Sequence, residues 1–145
     1  MTFKILLSTC LLSFALSQPA VSQELGVAFV QAVEQSTGMC FGTNPDKAFK
    51  CARKKCTANG TSRGDCQRVK WCYTANWSAD LFVQHREGFH WHEYLCGWGS
   101  KNDLIAAAKV HCEGEKREFL IECSIVGAWD GAGKEQQISY SLSSQ

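Results

Sequence analysis

After Leu16 the chain has no long hydrophobic run, and no later segment approaches the roughly 20 apolar residues that a membrane-spanning helix needs. The one early run, Ile5 to Leu16, is twelve residues long and too short to span. Lys4 precedes it and the small residues Ala20-Val21-Ser22 follow, the pattern of a secretory signal peptide over residues 1–22 with cleavage after Ser22. Residues 23–145 are then one exported domain. No P-loop lysine pattern accompanies Gly97-Trp98-Gly99-Ser100; that stretch can offer backbone N–H groups to an anion, but its first task is to enter a helix. Net charge is missing too. The chain carries +1, and without Lys4 it balances, which is poor for a nucleic-acid enzyme and makes nucleic acid an unfavoured partner.

What the chain has is cysteine. Nine are present, and Cys10 leaves with the signal, so eight remain. An even number in an exported chain favours a disulfide framework over metal or redox chemistry. It also disfavours a cysteine nucleophile, because a bridged sulfur is not a thiolate.

The cysteines stand in a repeated frame. Cys40 to Cys56 and Cys96 to Cys112 each span seventeen residues, fifty-six positions apart. A glycine-containing approach leads to a capping residue (Asn44, Ser100), an alanine-bearing helix and a closing cysteine. In the first helix Asn44 caps, Pro45 sits where its missing N–H costs nothing, and Asp46 suits the positive end of the dipole. Ala48, Phe49, Ala52 and Cys56 share one face. Leu104, Ile105, Ala108 and Cys112 take the same positions in the second helix, with Ser100 and Asp103 in a capping-box-like pair.

Around the helices, Gly26 to Val33 is an apolar segment that suits a buried strand, with a short helix as its competitor. Ser36-Thr37-Gly38 suits a turn into Met39 to Gly42. Cys66 to Thr74, Ala79 to Gln84, Phe89 to Trp98, Glu118 to Val126 and Ile138 to Leu142 read as further strands. The prediction is a small disulfide-stapled α+β domain: an antiparallel sheet with two helices, built by duplication of a strand–strand–helix–strand unit over about 26–74 and 78–126. Spacing pairs Cys56 with Cys66 and Cys112 with Cys123, each small loop contributing roughly 2–3 kcal/mol. The remaining guesses are Cys40 with Cys96, on strands related by the repeat, and Cys51 with Cys72.

Charge is divided between the copies. From Asp46 to Lys70 there are eight basic residues against two acidic ones, and the rest of the exported chain carries an equal negative excess. Such asymmetry guides a charged partner or lets the halves attract each other; two solvated helix faces that happen to differ explain it as well.

For chemistry, His85, His90 and His92 are the densest potential ligands. His90 and His92 fall on one side of a strand, and His85 across the turn would complete a three-nitrogen site for zinc or copper. Alternatively, two of His85, His90, His92 and His111 with nearby lysines would act as acid and base in phosphodiester cleavage. Against both stands the simpler reading of imidazoles decorating one sheet face. Trp71, Trp77, Trp91, Trp98, Trp129, Tyr73, Tyr94 and Phe89 are mostly core, and a few exposed near the histidines would make a binding face. The candidate face is His90, Trp91, His92 and Tyr94, with Lys54 and Lys55 of the first helix. Asn59-Gly60-Thr61 and Asn76-Trp77-Ser78 match glycosylation acceptors, which matter only in a eukaryotic secretory pathway.

In the segments Ala52 to Cys56 with Cys66, and Leu104-Ile105-Ala106-Ala107-Ala108 to Cys112 with Cys123, joined by Ser78-Ala79-Asp80-Leu81, the chain resembles a family of small bacterial exported domains, domain of unknown function 4189. The resemblance covers roughly Gly38 to Trp129. Cys51, Cys72 and the lysine-rich first helix depart from the pattern. It implies a bacterial periplasmic or secreted protein and supplies no catalytic residues. The sequence therefore reads as an exported module that binds a protein or envelope component as an inhibitor, immunity-type or accessory protein, without a cofactor. A small secreted hydrolase or metal binder using His85, His90 and His92 is the alternative.

Overall fold

The computed structural model describes residues 24–114 and 117–143, and the expected signal peptide lies outside them. Strands β1 (Gly26–Ala32) and β2 (Ser36–Gly42) lead into helix α1 (Pro45–Cys56) and strand β3 (Gln67–Cys72). Strands β4 (Trp77–His85) and β5 (His90–Trp98) lead into helix α2 (Lys101–Glu113) and strand β6 (Leu120–Trp129), and a short β7 (Ser141–Ser143) follows. The expected single sheet is two antiparallel sheets, β2-β1-β3 and β5-β4-β6-β7. In each unit the first strand lies between the second strand and the strand after the helix. None of the described helices is long and apolar enough to cross a membrane.

Local chemistry starts both helices. The Asn44 side chain accepts from Lys47 N–H at 3.0 Å with Pro45 in the first turn, and Ser100 Oγ accepts from Asp103 N–H at 3.1 Å. After α1 a short 3₁₀ turn over Thr57–Asn59 ends at Gly60 with φ 89°, a left-handed position that glycine adopts without a Cβ clash. Between β1 and β2 the turn is Val33 to Gln35, so Ser36-Thr37-Gly38 are strand, not turn.

Alternation along β1 explains why its apolar run is buried on both sides. Ala28, Val30 and Ala32 face α1 and pack with Cys40, Ala48, Phe49, Ala52 and Cys56. Val27 and Phe29 face the second sheet and pack with Ala75 and Tyr94. On the far side, Leu81 and Val83 meet Ala108 and Cys112 of α2, while Ala79 meets Leu104. The layers are therefore α1, first sheet, second sheet, α2. Gln31, also buried, joins the sheets: its amide donates to His92 C=O at 2.7 Å and accepts from His92 N–H at 2.8 Å.

Four disulfides close the described fold. Cys56–Cys66 and Cys112–Cys123 are as expected; the other two are Cys40–Cys51 and Cys72–Cys96, not Cys40–Cys96 and Cys51–Cys72. The reason is strand register. Cys40 lies opposite Ala28 and faces α1, within reach of Cys51. In β5 plain alternation puts Trp91 and Leu95 toward α2 and Tyr94 and Cys96 toward the first sheet, with Cys96 beside Cys72. Neighbouring residues of a strand face opposite sides, so Leu95 and Cys96 cannot both meet α2. The frame that aligned Cys40 with Cys96 in sequence thus places them on opposite faces of their strands.

Candidate functional site

The three histidines do not converge. His90 and His92 share one face of β5, where both rings pack on Phe82. His85 lies on the other face, between Phe89 (4.5 Å, stacked) and Phe119 (4.9 Å). Among the described residues no three His, Cys, Asp or Glu side chains form a group able to hold a metal ion. His92 Nδ1 meets Asp80 Oδ1 at 2.7 Å, and its backbone is the segment clamped by Gln31. An imidazole oriented by a carboxylate is one part of a general base. Ser124 lies opposite Phe82 on β6, beyond β4, and donates to Glu122 at 2.8 Å. Among the described residues no hydroxyl is hydrogen-bonded to the His92 ring.

Nor do the residues of the candidate binding face share a surface. Tyr94 is 4% exposed and stacks on Phe29 at 4.4 Å; burial, reinforced by the Asp80 charge, pushes its hydroxyl well above the ordinary value. Trp91 points toward α2. Lys54 and Lys55 lie on α1, on the opposite side of the first sheet from β5. Among the described residues the exposed aromatic ones are Tyr73, Phe89 and Trp98 instead.

A polar network that the sequence did not suggest joins β5 to α2. Glu93 accepts from Trp91 Nε1 at 2.7 Å, from Arg117 at 2.8 and 3.1 Å, and is bonded to His111 Nε2. Burial works against the Glu93 charge, yet hydrogen bonds from Arg117, Trp91 and His111 outweigh it and hold the carboxyl below its ordinary range. A carboxyl depressed in the folded state stabilises above its unfolded value, and that contribution is lost as pH falls through the folded value. Glu93→Gln is therefore expected to cost about 1 kcal/mol near neutrality, partial exposure screening the pairs. Urea titrations at stepped pH should show the gap to wild type closing below the ordinary carboxylate range; a gap that is constant with pH would rule out this role for the charge.

A concave feature lies on α1. An open cleft of about 690 Å³ is lined by Lys50, Arg53, Lys54, Thr57, Thr61, Arg63 and Arg68, with Asp46 as its one carboxylate. Lys50 and Lys54 stand one turn apart on the helix. Cys56–Cys66 folds the following loop back, bringing Arg63 and Arg68 to the same wall. Arg53 Nε donates to Cys66 C=O at 3.1 Å, and Arg68 lies over the Phe49 ring at 4.7 Å while pairing Asp46 at 3.1 Å. These two guanidiniums have partners in the fold, and Lys50 and Lys54 stand exposed beside them. Of this cleft the sequence reading had named only Lys54 as a site residue; the cluster of positive charge from Asp46 to Lys70 was the signal for the rest. Compared with protein-family models, curated proteins and solved structures, the chain matches none.

Proposed function

We propose that this protein is an exported binding module whose contact surface is the basic cleft of α1, and whose partner is an acidic protein surface of the envelope or of a secreted protein. The observation that carries this reading is the convergence of five cations around one cleft with a single carboxylate. Four disulfides suit an oxidising compartment. The cleft has no aromatic side chain among its lining residues to serve as a base-stacking platform, so an acidic polypeptide suits it better than a single nucleic-acid strand. The shared strand order supports reading the units as duplicated copies, with function where they differ. At the positions of Lys50 and Lys54 the second helix carries Ala106 and Val110.

Calorimetric titration with poly-glutamate tests the proposal. Binding is expected at low salt, to weaken as salt screens the charges, and to fall about tenfold in Lys50→Glu/Lys54→Glu, two lost charge contacts together approaching 1.4 kcal/mol. No heat at low salt, or equal binding by the double variant, would remove the cleft as the contact surface.

A further inference from the structure

We propose that α2 is the contact of a symmetric dimer, so that the surface beside it is covered by a second copy of this chain. The inference is independent of the basic cleft. It begins from what α2 shows to solvent. Its core face is Leu104, Ala108 and Cys112. Next to that face Asp103, Ala106, Ala107, Val110 and His111 recur at i, i+3, i+4, i+7 and i+8, the spacing of a second helical stripe. With Leu95 and Trp98 of β5 they line an open groove of about 460 Å³.

A solvent-facing helix stripe is ordinarily polar. The same positions in α1 are Lys47, Lys50, Cys51, Lys54 and Lys55, charged throughout except for the disulfide cysteine. In α2 the middle of the stripe is apolar, with Val110 75% and Trp98 38% exposed. The groove exists because the second unit is packed differently. Cys40–Cys51 staples α1 to β2, but Cys96 faces the first sheet, so no disulfide joins α2 to β5 and the helix touches that strand much less.

The stripe is complementary to itself. Its amino-terminal end is acidic at Asp103 and its carboxy-terminal end carries His111, with Ala106 and Ala107 midway. A twofold axis passing beside Ala106 and Ala107 sets two copies of α2 antiparallel and brings Asp103 of each helix against His111 of the other. The helix dipoles then oppose favourably, and the contact is isologous, closing at two copies. Alanines at the crossing let the axes approach at the near end of the usual 8–10 Å, and Val110 and Trp98 from both copies fill the groove. Asp103 Oδ2 accepts from Ser100 at 2.7 Å and His111 meets Glu93 and, through it, Arg117, so both groups are already oriented at the two ends of the stripe. One helix with its flanks falls at the small end of stable interfaces, so the dimer forms with rising concentration.

Sedimentation equilibrium across a concentration series, on protein purified from an oxidising compartment with its disulfides closed, decides the matter. The wild-type mass should rise toward twice the monomer. Val110→Asp and Ala106→Glu both change exposed side chains, and with circular dichroism unchanged each should weaken association by at least about tenfold, as expected for a central contact. A monomeric mass at every concentration would overturn the proposal and leave the groove to a different ligand, as would a dimer indifferent to both substitutions.

Discussion

Gly38→Ala is expected to destabilise the protein by about 3 kcal/mol, the upper end of what one added methyl costs in a packed interior. Gly38 lies in β2 on the face toward α1, opposite Val30. A Cβ built there would stand 2.0 Å from Ala52 C=O and 2.7 Å from Cys56 N. Those atoms are helix backbone, so no rotamer change can give way; α1 must lift from the sheet, opening its contacts with Ala28, Val30 and Cys40. Alanine restricts the unfolded chain, a gain of only about 0.4–1 kcal/mol, so the clash decides the sign. Gly42 in the same strand is the control, because its added Cβ would meet Ala48 Cβ at 3.6 Å, ordinary contact. Urea midpoints should drop sharply for Gly38→Ala and stay near wild type for Gly42→Ala. Equal midpoints for all three proteins would refute the close approach of helix and strand.

The contrast between Gly38 and its neighbours shows what was legible in the sequence and what was not. Helix ends were legible, because caps act within a few residues: Asn44 and Pro45 open α1, Ser100 opens α2, and each does so through a hydrogen bond to a backbone N–H three residues on. The disulfides Cys56–Cys66 and Cys112–Cys123 were legible for the same reason, as short loops from a helix end to the next strand. Strand facing was not. It depends on how segments distant in sequence pair and stack, and alternation along β5 turns Cys96, with Tyr94, away from α2 and toward Cys72. The same alternation separates His85 from His90 and His92, which sequence spacing had grouped, because the β4–β5 turn returns the chain with His85 on the opposite face. Positive charge from Asp46 to Lys70 was visible as composition. Its gathering into a cleft needed the Cys56–Cys66 loop, which carries Arg63 back to the helix.

The two units thus share strand order and helix placement while presenting different outer surfaces. On α1 the exposed turns carry lysines and the strand–helix seam is closed by Cys40–Cys51. On α2 the corresponding turns are apolar and the seam is open. The proposed roles follow this division: a charged partner at the first helix and a second copy at the other. They occupy opposite outer layers of the molecule, so neither contact need exclude the other.

Beside the Cys72–Cys96 disulfide, Gln31 holds the two layers in register, and Gln31→Leu is expected to cost about 3 kcal/mol. The Gln31 amide serves as one rung of strand on the outer edge of β5, meeting both the N–H and the C=O of His92. Leucine has similar bulk but no polar atoms, so both backbone groups lose their partner at a seam where Gln31 itself is only 6% exposed. A buried donor or acceptor left unpaired costs about 1–3 kcal/mol, and here there are two. Gain from burying the apolar side chain offsets part of this, about 1 kcal/mol or so. Gln31→Glu separates the two bonds. Its carboxylate still accepts from His92 N–H but opposes His92 C=O, and Asp80 stands on the same strand pair, bonded to the His92 ring. Burial and that neighbour raise the introduced carboxyl's pKa, and protonation restores a donor. Gln31→Glu should therefore be less stable than wild type at neutral pH and recover relative to it as pH falls, while the Gln31→Leu deficit lacks that recovery. Hydrogen exchange at the His92 amide reads the same contact, with protection falling in Gln31→Leu. Unchanged stability and unchanged protection would show that the sheets are held by Phe29, Tyr94 and Cys72–Cys96 without the amide.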